Sequence, residues 1–177
     1  MDSTIRVWNL PPQKRDNYGP IDSPLNFTTY IGHTDAIWDL RLFPICNLNT
    51  QFLASASADG TVKIWNTEAE GSPLKSSWGY YGNDGELPVN GGKCNFSMLA
   101  HLDSVTTLDI DPSGMILISG GHDTSIRLWD IVSTRQCVQE FVSHRRKSDE
   151  GVLCVEYHRS LPWMASGGAD SVVKIYC

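Results

Sequence analysis

The chain has 177 residues, of which 41% are hydrophobic, 19% charged and 10% aromatic. That supplies one packed domain or part of one; it is too short for two well-filled domains and too apolar for intrinsic disorder. The 14 Lys and Arg against 20 Asp and Glu give a net charge of -6. This disfavours a nucleic-acid binder, which needs surplus cations to release phosphate counterions.

No stretch approaches the ~20 apolar residues that would span a bilayer, and MDSTIRVWNL has neither a basic leader nor an apolar core, so a soluble cytoplasmic chain without membrane insertion is expected. The cysteines are Cys46, Cys94, Cys137, Cys154 and Cys177, an odd number with no CxxC pair and no His at metal-ligand spacing. They read as reduced, mostly packed thiols, and no metal or other cofactor is implied.

In chain order, the start runs from Asp2 to Trp8 and is followed by the Pro-rich stretch WNLPPQKRDNYGPIDSPLN. Next come FTTYI, then GHTDAIWDLRLF with FLASASADGTVKIWN, and then a Gly/Ser-rich stretch, TEAEGSPLKSSWGYYGNDGELPVNGGK. FSMLA leads into AHLDSVTTLDIDPSG and MILISGGHDTSIRLWD, and CVQEFV leads into SHRRKSDEGVLCVEYH and WMASGGADSVVKIYC. The runs are rich in β-branched and aromatic residues and are separated by turn residues, so they predict strands joined by hairpins. Helical periodicity is absent.

The spacing is repetitive. Ser55 to Asp59, Ser119 to Asp123 and Ser166 to Asp170 are each four residues. Asp59 to Trp65, Asp123 to Trp129 and Asp170 to Tyr176 are each six, as is Asp2 to Trp8. A His stands 26, 22 and 26 residues before the Asp, at His33, His101 and His144. Three strands per unit, with a fourth leading into each His, predict a four-stranded antiparallel sheet per repeat. Ser, His and Asp together invite a hydrolase reading, but a triad is needed once, whereas three copies at fixed spacing suit a structural role. No GxxxxGK[ST], HExxH or GxSxG motif accompanies them.

Gly32-His33, with Ala100-His101 and Ser143-His144 as variants, the turn Asp, and the closing Trp65-Asn66 and Trp129-Asp130 resemble the WD-repeat β-propellers. More narrowly, GHTDAIWDL, SADGTVKIWN, GGHDTSIRLWD and CVQEFVSHRRKSDEGV resemble the carboxyl-terminal propeller of striatins, fungal striatins in particular. The resemblance implies an all-β fold: a partial, open WD-repeat propeller of about four blades. It places His33, Ser55, Asp59 and Trp65 in one hydrogen-bonded tetrad, and His101, Ser119, Asp123 and Trp129 in a second. The third set, His144, Ser166, Asp170 and Tyr176, departs from the family pattern by carrying Tyr in place of Trp.

The expected organisation is the end of one blade with its Pro-rich insertion (1–31), a WD repeat (32–66), a Gly/Ser-rich junction at a deletion (67–93), a second repeat (94–142) and a third without its last strand (143–177). His101 to His144 is 43 residues, one blade, but His33 to His101 is 68, and about two blades are expected to be missing near Val89 and Asn90. An open arc exposes apolar blade faces. At ~25 cal/mol/Å², roughly 400 Å² of such surface forfeits on the order of 10 kcal/mol, so self-association through the open edges is expected.

The resemblance implies a non-enzymatic scaffold, since striatins join protein phosphatase 2A to Ste20-type kinases, a Mob-family protein and striatin-interacting proteins. It also admits a place at the periphery of endomembranes. The alternative is a substrate-receptor propeller of another complex, such as a ubiquitin ligase. Thr34, Asp35, Leu102, Asp103, His122, Arg145, Arg146 and Lys147 flank the tetrad His or Asp residues and are expected to project from one face as partner contacts.

Overall fold

Alternation of β-branched residues with Asp-centred turns gives thirteen strands, and no helix occurs among the described residues. The computed structural model describes residues 2–8, 27–44, 51–67 and 94–177. The Pro-rich insertion, Cys46 and residues 68–93 of the junction lie outside the described residues. β1 (Thr4–Trp8) pairs antiparallel with β2 (Phe27–Ile31) as a two-stranded half-blade. β3 (Ile37–Pro44), β4 (Gln51–Ser57), β5 (Thr61–Asn66) and β6 (Cys94–Leu99) form the first four-stranded sheet. β7 (Val105–Ile110), β8 (Ile116–Gly121), β9 (Ser125–Asp130) and β10 (Cys137–Val142) form the second. β11 (Val152–Tyr157), β12 (Met164–Gly168) and β13 (Val173–Tyr176) form a three-stranded third sheet.

The strand leading into each His does not join the sheet that follows it. β2 pairs back onto β1, β6 onto β5 and β10 onto β9. The sequence repeat is therefore offset from the blade by one strand. The chain finishes the outer edge of one blade and then crosses to the inner strand of the next: the amides of Ala100 and His101 both donate to the Gly60 carbonyl, at 2.9 and 3.0 Å. The offset ties each blade to its successor covalently and by hydrogen bonds.

The hairpin between the second and third strands of each blade needs one residue at positive φ, directly after the tetrad Asp. Gly60 takes φ 79° there, while Thr124 and Ser171 take 73° and 65°. At Gly60 a Cβ would also lie 2.9 Å from the His101 carbonyl oxygen, which excludes any side chain.

The core sits between the sheets. Ile5, Tyr30, Leu53 and Trp65 fill the space between the half-blade and the first blade. Ala54, Ala56, Val62, Ile64 and Met98 of the first blade share a second cluster with Leu108, Leu117 and Trp129. Ile118 and Ile126 cluster with Val152 and Val155, covered by Met164 and Tyr176. Each tetrad aromatic thus faces the preceding blade.

Along the innermost strands, polar side chains stitch blade to blade through the backbone. The Asp39 carboxylate accepts the Leu108 amide at 3.0 Å, Thr107 Oγ1 accepts the Val155 amide at 3.3 Å, and Asp109 accepts the Tyr157 amide at 2.8 Å. Arg41 bridges Asp39 at 2.8 Å and Asp109 at 3.4 Å. Among the described residues both ends of the arc are open. Leu40 and Leu42 on β3 are exposed, whereas their register equivalents on β7, Leu108 and Ile110, are buried by the first blade.

Candidate interaction surface on three buried networks

In the first blade His33 Nδ1 donates to Asp59 Oδ2 at 2.9 Å, Ser55 Oγ stands 2.6 Å from His33 Nε2, and Trp65 Nε1 donates to Ser55 Oγ at 2.9 Å. The second blade repeats this: His101 to Asp123 is 2.9 Å, His101 to Ser119 is 2.8 Å and Trp129 to Ser119 is 3.0 Å. One proton ordering satisfies every member. Indole N–H donates to the serine oxygen, the serine O–H donates to Nε2, and Nδ1–H donates to the carboxylate.

The third set closes as well, by different chemistry. His144 lies 2.9 Å from Asp170 and 2.7 Å from Ser166, and Tyr176 reaches Ser166 through its phenolic oxygen at 3.0 Å. The longer phenol brings its oxygen to the position that the indole nitrogen occupies in the other blades. Ser143, just before His144, also hydrogen-bonds that oxygen.

Electrostatics fix the protonation of this arrangement. Burial pushes the His33 imidazole below its usual range, against the pull of Asp59, so the ring is neutral at pH 7. Burial opposes ionisation of Asp59, but bonds from the Thr61 hydroxyl, the Thr34 amide and His33 outweigh it and hold the carboxyl well below its usual range. At Asp123 burial is likewise outweighed, by His101, the Ser125 hydroxyl and the Leu102 amide. Asp170, nearer solvent, is lowered to about 2, chiefly by the Arg145 amide, with His144 assisting against desolvation.

The serines are not poised as nucleophiles. Ser55, Ser119 and Ser166 are buried away from any substrate, and each oxygen accepts an indole or phenol hydrogen that occupies a lone pair. Among the described residues no group of His, Cys, Asp and Glu could hold a metal ion.

What the networks do is position loops. Each tetrad Asp also accepts the backbone amide of the residue after the His, at 3.0 Å in all three blades: Thr34 on the same Asp59 oxygen that His33 uses, Leu102 and Arg145 on the other oxygen of Asp123 and Asp170. Thr34, Asp35, Leu102, Arg145, Arg146 and Lys147 are exposed around these anchors, while Asp103 and His122 are half-buried. Asp103 and Arg146 meet directly at 2.9 Å. His122 points its backbone amide at the Ser104 carbonyl at 2.9 Å, as a turn residue.

Two further layers lie beyond the residues singled out from sequence. Thr61 and Ser125 donate hydroxyls to their tetrad Asp at 2.6 and 2.7 Å. A hydroxyl two residues after the Asp in two of three repeats is a periodic signal that could have marked them. The interblade acceptors Asp39, Thr107 and Asp109 carry no such signal, because they differ in residue type and fall at two different register positions.

The family description "WD domain, G-beta repeat" matches residues 26–66, 92–130 and 135–177. The chain is 31% identical to Striatin-3 of Homo sapiens over 249 residues, covering 99% of this chain and 31% of that protein. It is 32% identical to the Striatin homolog of Dictyostelium discoideum over 255 residues, covering 98% of this chain and 30% of that one. Human Striatin aligns at 30% identity over 249 residues, 99% of this chain and 31% of its own length. The chain therefore spans about a third of the length of these curated relatives. An alignment of 249 positions against a chain of 177 also means that about 70 positions of the relative have no counterpart within this chain, between one and two repeats of ~40–45 residues. Fold, networks and alignments agree: the chain belongs to the WD-repeat family of β-propeller domains, within its striatin branch.

Proposed function

We propose that the chain acts as a non-enzymatic protein-interaction scaffold, with partners held on the loops that the tetrads anchor. The observation that carries this reading is the threefold recurrence of a saturated, buried Ser-His-Asp network whose carboxylate also fixes the backbone of the next loop residue. Thr34, Asp35, Leu102, Asp103, His122, Arg145, Arg146 and Lys147 are the proposed contact residues. The striatin resemblance extends the reading to signalling assemblies that bring a phosphatase and kinases together in the cytoplasm.

Cross-linking and affinity capture of the protein from its source cells tests this. Phosphatase, kinase and striatin-interacting subunits are expected among the cross-linked partners. A set of ubiquitin-ligase subunits would replace the signalling assignment with a substrate-receptor role. Labelling by a serine-reactive phosphonate that is lost in Ser119→Ala would overturn the non-enzymatic reading altogether.

A further inference from the structure

The loops that lead from the tetrad His to the inner strand differ in length. His33 to Ile37 and His101 to Val105 are four residues, but His144 to Val152 is eight. The extra residues fold into a tight hairpin tip. Lys147 and Glu150 exchange both backbone hydrogen bonds, at 2.9 and 3.0 Å, around Ser148 and Asp149, which take φ 52° and 64°. Two consecutive non-glycine residues in the left-handed region are sterically disfavoured. Such strain persists only where the surroundings fix the backbone.

The surroundings do fix it. The Arg145 amide is held by Asp170 at 3.0 Å. At the other foot, Gly151 sits so close to the second blade that a Cβ would lie 2.8 Å from the Thr124 nitrogen and 2.9 Å from the Gly121 oxygen. Between them, Arg146 reaches across to Asp103 on the second blade's loop at 2.9 Å and lies 3.6 Å from Asp149. Arg146 is thereby a strut, while Arg145 and Lys147 are exposed cations with no ion pair among the described residues. Glu150 shares the tip, and Asp103 its base. Leu102, the residue before Asp103, is 89% exposed with its backbone amide pinned to Asp123.

We propose that this inserted tip, with Leu102, is a preorganised docking site for an acidic, extended segment of a partner protein. Carboxylates pair with Arg145 and Lys147, and one bulky apolar side chain rests on Leu102. The chain carries a net charge of -6, so the two cations of this tip that have no ion pair among the described residues, Arg145 and Lys147, set where and how an acidic segment lands. The contacts that hold the strained tip preorganise it, and preorganisation lowers the entropic cost of binding. The proposal rests on the scaffold reading above and names the partner chemistry for one of its loops.

The test is selection of a displayed library of random dodecapeptides on the whole chain, followed by fluorescence anisotropy of the selected peptides. Peptides rich in Asp and Glu with a bulky apolar residue are expected. Their affinity should fall about ten-fold or more in R145E/K147E, fall less in Leu102→Ala, and hold in R159E, a charge reversal at an exposed residue outside the proposed contacts. Circular dichroism of the exposed double variant checks that it folds. Selected peptides without acidic bias, or unchanged affinity in R145E/K147E, would overturn the proposal. So would binding of the tip to phosphatidylserine vesicles or single-stranded DNA in place of peptide. Peptides lost instead in T34A/D35A would leave the scaffold reading standing and remove the tip from it; no peptide and no cross-linked partner would remove both.

Discussion

Val62 and Ile64 on β5 and Val173 and Ile175 on β13 occupy the same places, three and five residues after the tetrad Asp, yet the first pair is 0% and 1% exposed and the second 75% and 69%. The first pair is covered by the second blade; no described residue covers the second. The tetrad is closed in both blades, so the hydrogen-bonded network does not depend on the neighbour, but burial of the apolar face does. A blade holds its own shape and borrows most of its hydrophobic stabilisation from the next.

The comparison can be broken most forcefully by charge. Val62→Asp places an unpaired carboxylate between two sheets and is expected to cost more than about 4 kcal/mol, enough to unfold the first two blades, whereas Val173→Asp should stay within about 0.5 kcal/mol. Urea titration followed by circular dichroism measures both. Equal losses would mean that the β13 face is covered in solution.

A smaller contrast lies in the networks themselves. Asp123→Ala strands the His101 ring, the Ser125 hydroxyl and the Leu102 amide, and about 2–3 kcal/mol of destabilisation is expected. Asp170→Ala should shift the urea midpoint less, because Val172 replaces the hydroxyl that Thr61 and Ser125 supply and the Asp170 carboxylate has one fewer donor to strand. Identical midpoints for the two variants would contradict this ranking.

Acid sharpens the same ranking. His33 titrates lower in the fold than in the unfolded chain, so its contribution is complete above its unfolded value near 6.5 and declines as pH falls below that. Asp59, Asp123 and Asp170 are also lowered, so their contributions hold above about pH 4 and are lost below it; for Asp170 the loss is complete near pH 2. Stability measured by urea titration should therefore decline in two stages, and a flat profile from pH 7 to pH 4 would remove His33 from the first.

The turns give the smallest effect. Thr124→Gly relieves a β-branched residue at φ 73° and should add about 1 kcal/mol, while Gly60→Ala should destabilise by clashing with the His101 carbonyl. Thermal midpoints that move together would contradict the shared turn geometry.

The strands and the His, Ser, Asp and aromatic positions were legible because they recur at constant spacing, and a periodic signal needs no knowledge of neighbours. The pairing of β2, β6 and β10 was harder to read. A strand written just before a His gives no local sign that it belongs to the sheet behind it; that is decided by cross-strand fit, as where Cys94 faces Trp65 and Cys137 faces Trp129. The interblade acceptors were illegible because Asp39, Thr107 and Asp109 solve one problem, an unpaired inner-strand amide, with different residues at different positions. Tyr176 shows the converse: it breaks the motif yet completes the network, because a hydrogen donor in the right place is what the serine requires.

Amide hydrogen exchange of the intact chain, resolved by strand with mass spectrometry, tests most directly whether a blade borrows its stability from its neighbour. Protection in β5 and β9 is expected to exceed that in β13 by orders of magnitude, although all three strands carry a closed tetrad. Equal protection across the three would show that the network alone holds a blade together, and would contradict the account.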